Sequence, residues 1–139
     1  MFDIFGIMYY NIIKYVHGGV NIMNAKIENN NGIITISNEV IATIAGDAAT
    51  RCYGVVGMAI RNKADGIASL LKRDVMSKGI KVETEEDGLV IDVHVIVGYG
   101  INIRTTSESI IEGVKYNVES VTGFTVKQVN VNVESVRVD

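Results

Sequence analysis

Apolar positions recur along this chain in two periods, one near 3.6 residues and one of two, the signatures of helix and strand. Val40, Ile41, Ile44, Ala45, Ala48, Ala49 and Cys52 form one helical stripe. Its small members, Ala42, Ala45, Ala48 and Ala49, suit close packing on a sheet. Ile110, Ile111, Val114, Val118 and Val121 form a second, longer stripe. A short helix over 66–72 turns Ile67, Leu70 and Leu71 inward. The β-branched run Ile33-Ile34-Thr35-Ile36 reads as a strand, as does Val55 to Ile60, interrupted at Gly57. Ile80 to Glu85 alternates strictly. From Leu89 to Val97, Ile91, Val93, Val95 and Val97 share one face, and Val90, Asp92, His94 and Ile96 the other. The last run, Val126 to Val138, sets Val129, Val131 and Val133 against Gln128, Asn130, Asn132 and Glu134.

Punctuation fits these periods. Ser37 is an N-cap candidate with Glu39 in the following turn, and Gly54 closes that helix. Thr105 and Glu108 have capping-box spacing, and Gly123 closes the second helix. Asp87-Gly88 marks a hairpin. The expectation is an α+β fold in two layers. One mixed sheet of about five strands, near 33–36, 55–60, 80–86, 89–97 and 125–137, carries helices 38–52 and 105–121 on one face, with Ile44 and Val114 turned inward. At an offset of 69 residues Glu39 meets Glu108, Ile41 meets Ile110, Ala45 meets Val114 and Gly54 meets Gly123. An internal duplication produces that coincidence, and so do any two amphipathic helices ending in glycine.

Composition then narrows the class. A chain of 139 residues, 47 % apolar and 21 % charged, is one ordinary globular domain, not a disordered or fibrous one. A single cysteine, Cys52, allows no internal disulfide. The net charge of −3 is opposite to the balance a nucleic-acid binder needs. The first 22 residues stand apart, with Phe2, Phe5, Tyr9, Tyr10 and Tyr15 but only Asp3 and Lys14 as charges. Their apolar stretch is too short to span a bilayer, which takes about 20 residues. They also lack the basic start and cleavage site of a secretory signal. His17-Gly18-Gly19-Val20 just before Met23 is what a translated ribosome-binding sequence spells. The expectation is therefore a leader over 1–22, outside the fold, and a single domain over 23–139.

No catalytic, cofactor-binding or metal site emerges. His94 shares a strand face with Asp92, and such a pair can orient a base, but the sequence places no nucleophile to use it. His17 lies in the leader. Cys52 sits on the apolar stripe at a helix C-terminus, the wrong end for an activated thiol. Glu83, Glu85, Glu86 and Asp87 lack the spacing of a calcium loop and read as a solvated hairpin tip. Gly54-Val55-Val56-Gly57 has the glycines of a GxxG nucleic-acid loop but an apolar middle. Val97-Gly98-Tyr99-Gly100 looks like a selectivity-filter string without pore helices.

Several blocks, in order, carry a family resemblance. They are Gly32 to Ala42, Ala45-Gly46-Asp47-Ala48-Ala49, Gly54 to Met58, Val90 to Val97, Gly100, Val118-Glu119, Thr122-Gly123, Val129-Asn130-Val131 and Val136-Arg137-Val138. Together they resemble the bacterial alkaline-shock-protein family, also called the Gls-type envelope stress response family, over about 27–138. The resemblance implies a small cytoplasmic protein without enzymatic activity, of a kind found mainly in Gram-positive bacteria and linked to envelope stress. It implies no cofactor and no catalytic residue. It also implies attachment to a membrane-anchored protein partner; the expected mode of action is self-association or such attachment, and the net acidity disfavours nucleic-acid binding and direct membrane insertion. The long last strand points the same way, since a chain-terminal strand can offer an edge to another chain. The alternative is an enzyme, or an enzyme's accessory subunit, tied to phospholipid or fatty acid metabolism.

Overall fold

The computed structural model describes residues 15–17, 20–22, 24–60 and 79–138. Strands β1 (Tyr15–His17) and β2 (Val20–Ile22) pair antiparallel as a small sheet of their own. Strands β3 (Asn24–Asn29) and β4 (Gly32–Ser37) form a second hairpin, whose turn is held by the Asn29 side chain accepting from the Asn31 and Gly32 amides. Helix α1 (Asn38–Thr50) follows directly, and strand β5 (Val55–Met58) comes next. Strands β6 (Ile80–Glu85) and β7 (Gly88–Gly98) make a hairpin across Glu86 and Asp87. Helix α2 (Ile103–Thr122) then crosses over to β8 (Val126–Arg137), which lies parallel to β7.

The main sheet is built around β7. Its even residues bond to one side and its odd residues to the other, as backbone alternation in a strand requires. His94 shows the first side. Its amide donates to the Gly79 carbonyl at 2.8 Å, and its carbonyl accepts from the Ala59 amide at 3.0 Å. Both groups of one residue point the same way, so β5 and β6 lie end to end along a single edge of β7. The odd residues Leu89 and Tyr99 donate to Thr125 and Arg137, which puts β8 along the other edge. Gly79 sits where the chain rejoins this edge. A Cβ there would lie 2.8 Å from the His94 oxygen and 2.9 Å from that of Ala59, so no larger residue fits without displacing backbone.

The expected two layers are present, with α1 and α2 over one face of this sheet. The faces of β7 divide as the alternation requires, with Leu89, Ile91, Val93, Val95 and Val97 all buried under the helices. Ile41, Ala45, Ala49, Ile110, Val114 and Val118 meet them from above, and Ile44 packs at the margin. The alanines of α1 let it lie close to α2; Gly113 of α2 has the Cys52 sulfur 3.8 Å from where its Cβ would be.

Several expectations are corrected. The run 33–36 does not join the main sheet. It pairs with Asn24–Asn29, because the Asn-Asn turn closes a local hairpin first. The Val55–Ile60 strand ends at Met58 and bulges at Val56, since Val55 and Gly57 face the consecutive residues Val97 and Ile96. Ser37 caps α1 as expected, accepting from the Val40 amide. The helix ends at Thr50, however, and Gly54 (φ +94°) turns the chain into β5. Thr105 is not the cap of α2. Asn102 is, its side-chain oxygen taking the Thr105 amide at 3.0 Å, while Glu108 pairs with Arg104. Gly123 (φ +78°) does close α2. The two units related by the 69-residue offset differ in topology: β7 and β8 are parallel neighbours, whereas β4 and β5 belong to different sheets. The expected helix over 66–72 lies outside the described residues.

Two pairs of substitutions check this architecture in urea unfolding. Ile91→Ala removes a fully buried side chain and costs about 2–5 kcal/mol, while Ile33→Ala, on an exposed hairpin, stays within about 0.5 kcal/mol. Asn102→Ala costs about 1 kcal/mol through the lost cap, and Thr105→Ala costs less.

Candidate functional site

The face of the main sheet away from the helices is mixed: Val90 and Ile96 share it with Asp92 and His94, and cross-strand register brings its polar residues together. Lys81 of β6, Asp92 of β7 and Asn130 of β8 stand in one row. Asn130 donates to the Asp92 carboxylate at 2.6 Å and accepts from the Gln128 amide at 2.6 Å. Lys81 pairs along its own strand with Glu83 at 2.6 Å. His94 stands opposite Asn132, but its Nδ1 lies 2.7 Å from a carboxylate oxygen of Glu134. Glu134 reaches it because the register of β8 slips there, leaving one extra residue between the partners of Val95 and Ile96. His94 and Asp92 thus share a face, as the alternation implies, yet each bonds across to β8 and not to the other. The four groups are tied into a structural ladder between neighbouring strands.

The other candidate residues fall into place individually. Cys52 lies just past α1, half-buried, with its sulfur 3.5 Å from the Ala48 carbonyl. Burial pushes its thiol pKa up, the reverse of what a nucleophilic thiolate needs. In the acidic hairpin, Glu85 and Asp87 bind the Lys127 ammonium at 2.6 and 3.3 Å. Their hydrogen bonds raise the Lys127 pKa. The Gly54–Gly57 string is a turn followed by the β5 bulge, and Val97–Gly100 is the end of β7 and its turn, with the Tyr99 side chain exposed. His17 falls in β1, and its side chain is outside the described residues. Among the described residues, no group of three His, Cys, Asp or Glu side chains could hold a metal ion, and no helix is long and apolar enough to cross a membrane.

The feature that alternation alone does not reveal is the free edge of β8. The odd residues of β7 bond toward β8, and in a parallel ladder the residues facing them bond the opposite way. Val129, Val131 and Val133 face Ile91, Val93 and Val95. Their amides and carbonyls therefore point outward, where no strand among the described residues pairs with them. Register slips flank this regular stretch at Lys127 and at Glu134. Between them the outer strand carries no charged side chain. A sequence clue existed in the alternating valines and amides, but the parallel pairing that turns these backbone groups away from β7 is a tertiary fact.

Comparison with known proteins places these features in a family. Residues 26–138 match the sequence profile of the alkaline-shock-protein family, described as having a cell envelope-related function. The protein Spy1614 of Streptococcus pyogenes is 40 % identical over 117 residues, covering 84 % of this chain and 97 % of its own length. YloU of Bacillus subtilis is 41 % identical over 117 residues, 84 % of this chain and 98 % of its own. Among solved structures, MamM-CTD H264A is 16 % identical and covers 70 % of this chain and 96 % of its own, with a TM-score of 0.44; a likeness of that degree carries no functional statement.

The raised Cys52 pKa has a measurable sign. The folded state holds the thiol proton to higher pH than the unfolded chain, so stability is constant below the unfolded thiol pKa of about 8.5 and falls as pH rises above it. Correspondingly, alkylation of Cys52 at pH 8 is slower in the native protein than in urea. Equal rates would show that the thiol is not sheltered.

Proposed function

Because this chain belongs to the alkaline-shock-protein family, whose function is related to the cell envelope, we propose that it is a non-enzymatic protein of envelope homeostasis that acts by assembling with other protein chains. The site of assembly is the outer edge of β8, and the reading rests on that one observation. Outward backbone groups on a regular stretch are a template for a further strand. The polar face supports the non-enzymatic part of the reading. Asp92 is bonded to Asn130 and His94 to Glu134, an arrangement that holds β8 to β7. We place the protein in the cytoplasm, meeting the membrane through a partner and not through lipid. Anionic headgroups attract clusters of Lys and Arg, and this chain is net acidic with no such run.

Size-exclusion chromatography with light scattering, together with flotation on protein-free vesicles of anionic phospholipid, tests the reading. The expected result is a protein that stays out of the floating fraction and either exceeds the 15.1 kDa monomer mass or binds a membrane-held protein. A monomer that floats with protein-free vesicles overturns it.

A further inference from the structure

The assembly reading leaves the partner open, and the inference here rests on that reading and names one. We propose that the edge of β8 takes β8 of a second copy of this chain, antiparallel, about a two-fold axis through Val131. The two main sheets then become one continuous sheet.

The register follows from the groups available. In the antiparallel arrangement centred on Val131, that residue faces its own copy, and Val129 faces Val133 of the second copy. Every outward amide and carbonyl of Val129, Val131 and Val133 then finds a partner. An axis at Asn130 or Asn132 leaves one of the outer valines unpaired. An axis at Val129 sets Val131 against Lys127, and one at Val133 sets Val129 against Arg137, drawing a register slip into the ladder. Only Val131 uses the whole regular stretch and keeps both slips outside it.

Side chains agree with this register on both faces. On the polar face Asn130 comes opposite Asn132 of the second copy, amide against amide, each able to donate and accept. No like charges are opposed, although the whole chain carries a net charge of −3. On the helix face Val131 and Val133 are only half-buried in one copy, and the second copy's valines cover what remains. A stretch whose side chains complement their own reversal is what an isologous two-fold interface needs. A foreign strand would have no reason to meet that condition.

Val131→Pro is the decisive variant. Its amide points away from β7, so proline removes an edge donor while leaving the ladder inside one chain intact. Val131→Thr keeps the amide as a control for the lost valine. Asn132→Lys places a charge on an exposed position of the same edge without touching the core. Light scattering over a concentration series, with thermal melts to confirm folding, reads the result. The wild type and Val131→Thr are dimers, and Val131→Pro and Asn132→Lys weaken dimerisation by about tenfold or more. In a Cys52→Ala background, Val131→Cys forms a disulfide-linked dimer on oxidation, since facing residues in a hydrogen-bonded antiparallel pair have Cα atoms about 5.5 Å apart. An oligomer insensitive to both edge variants overturns the proposal and leaves assembly standing through another surface. A wild-type monomer that does not float with protein-free vesicles also overturns it, leaving assembly with a different chain. A monomer that does float defeats the assembly reading itself.

Discussion

One strand carries the structure. Every other strand of the main sheet bonds to β7, even residues to β5 and β6 and odd residues to β8. Its inner face, from Leu89 to Val97, is the floor on which both helices rest. Because backbone direction and side-chain direction both alternate, a single choice of which residues face the helices also sets the orientation of every polar group on the opposite face. Asp92 and His94 are therefore polar where they are because Ile91, Val93 and Val95 are buried where they are. A one-residue slip would exchange the two faces and bury both ionisable groups.

Much of this was legible in the sequence, and the limits have physical causes. Alternation in Leu89–Val97 gave both faces of β7 correctly, and the helical stripes gave the inward residues of α1 and α2, because burial acts directly on local periodicity. Ser37 and Gly123 were readable as caps for the same local reason. Thr105 misled because Asn102, three residues earlier, offers an equally good side-chain oxygen, and the chain begins its helix at the first cap that geometry allows. Sheet membership was legible for the four strands of the sheet built on β7, and it failed only for the run 33–36. Ile33–Ile36 has the composition of any strand, and only the tight turn at Asn29–Gly32 assigns it to a hairpin of its own. The candidate site suffered most, since the bonds of His94 and Asp92 depend on where β8 lies in register and on the slip that presents Glu134.

The polar ladder and the bare edge are related. The hydrogen bond that Asn130 donates to Asp92 and the contact between His94 and Glu134 spend side chains on the outer face of β8 on holding it to β7. Backbone groups on the far side of the same strand have no strand partner among the described residues. Fixing β8 in one conformation removes the ordering cost that an added strand would otherwise meet, which is how a rigid edge gains affinity without gaining contacts.

The junction at His94 has a different consequence. The chain leaves the sheet after Ala59 and rejoins it at Gly79, and both residues bond to the same histidine backbone. The sheet thus fixes the two ends of the intervening segment and nothing about its length. The end of β5 and the start of β6 are set in line by one residue's backbone, and a shift of His94 would carry both with it.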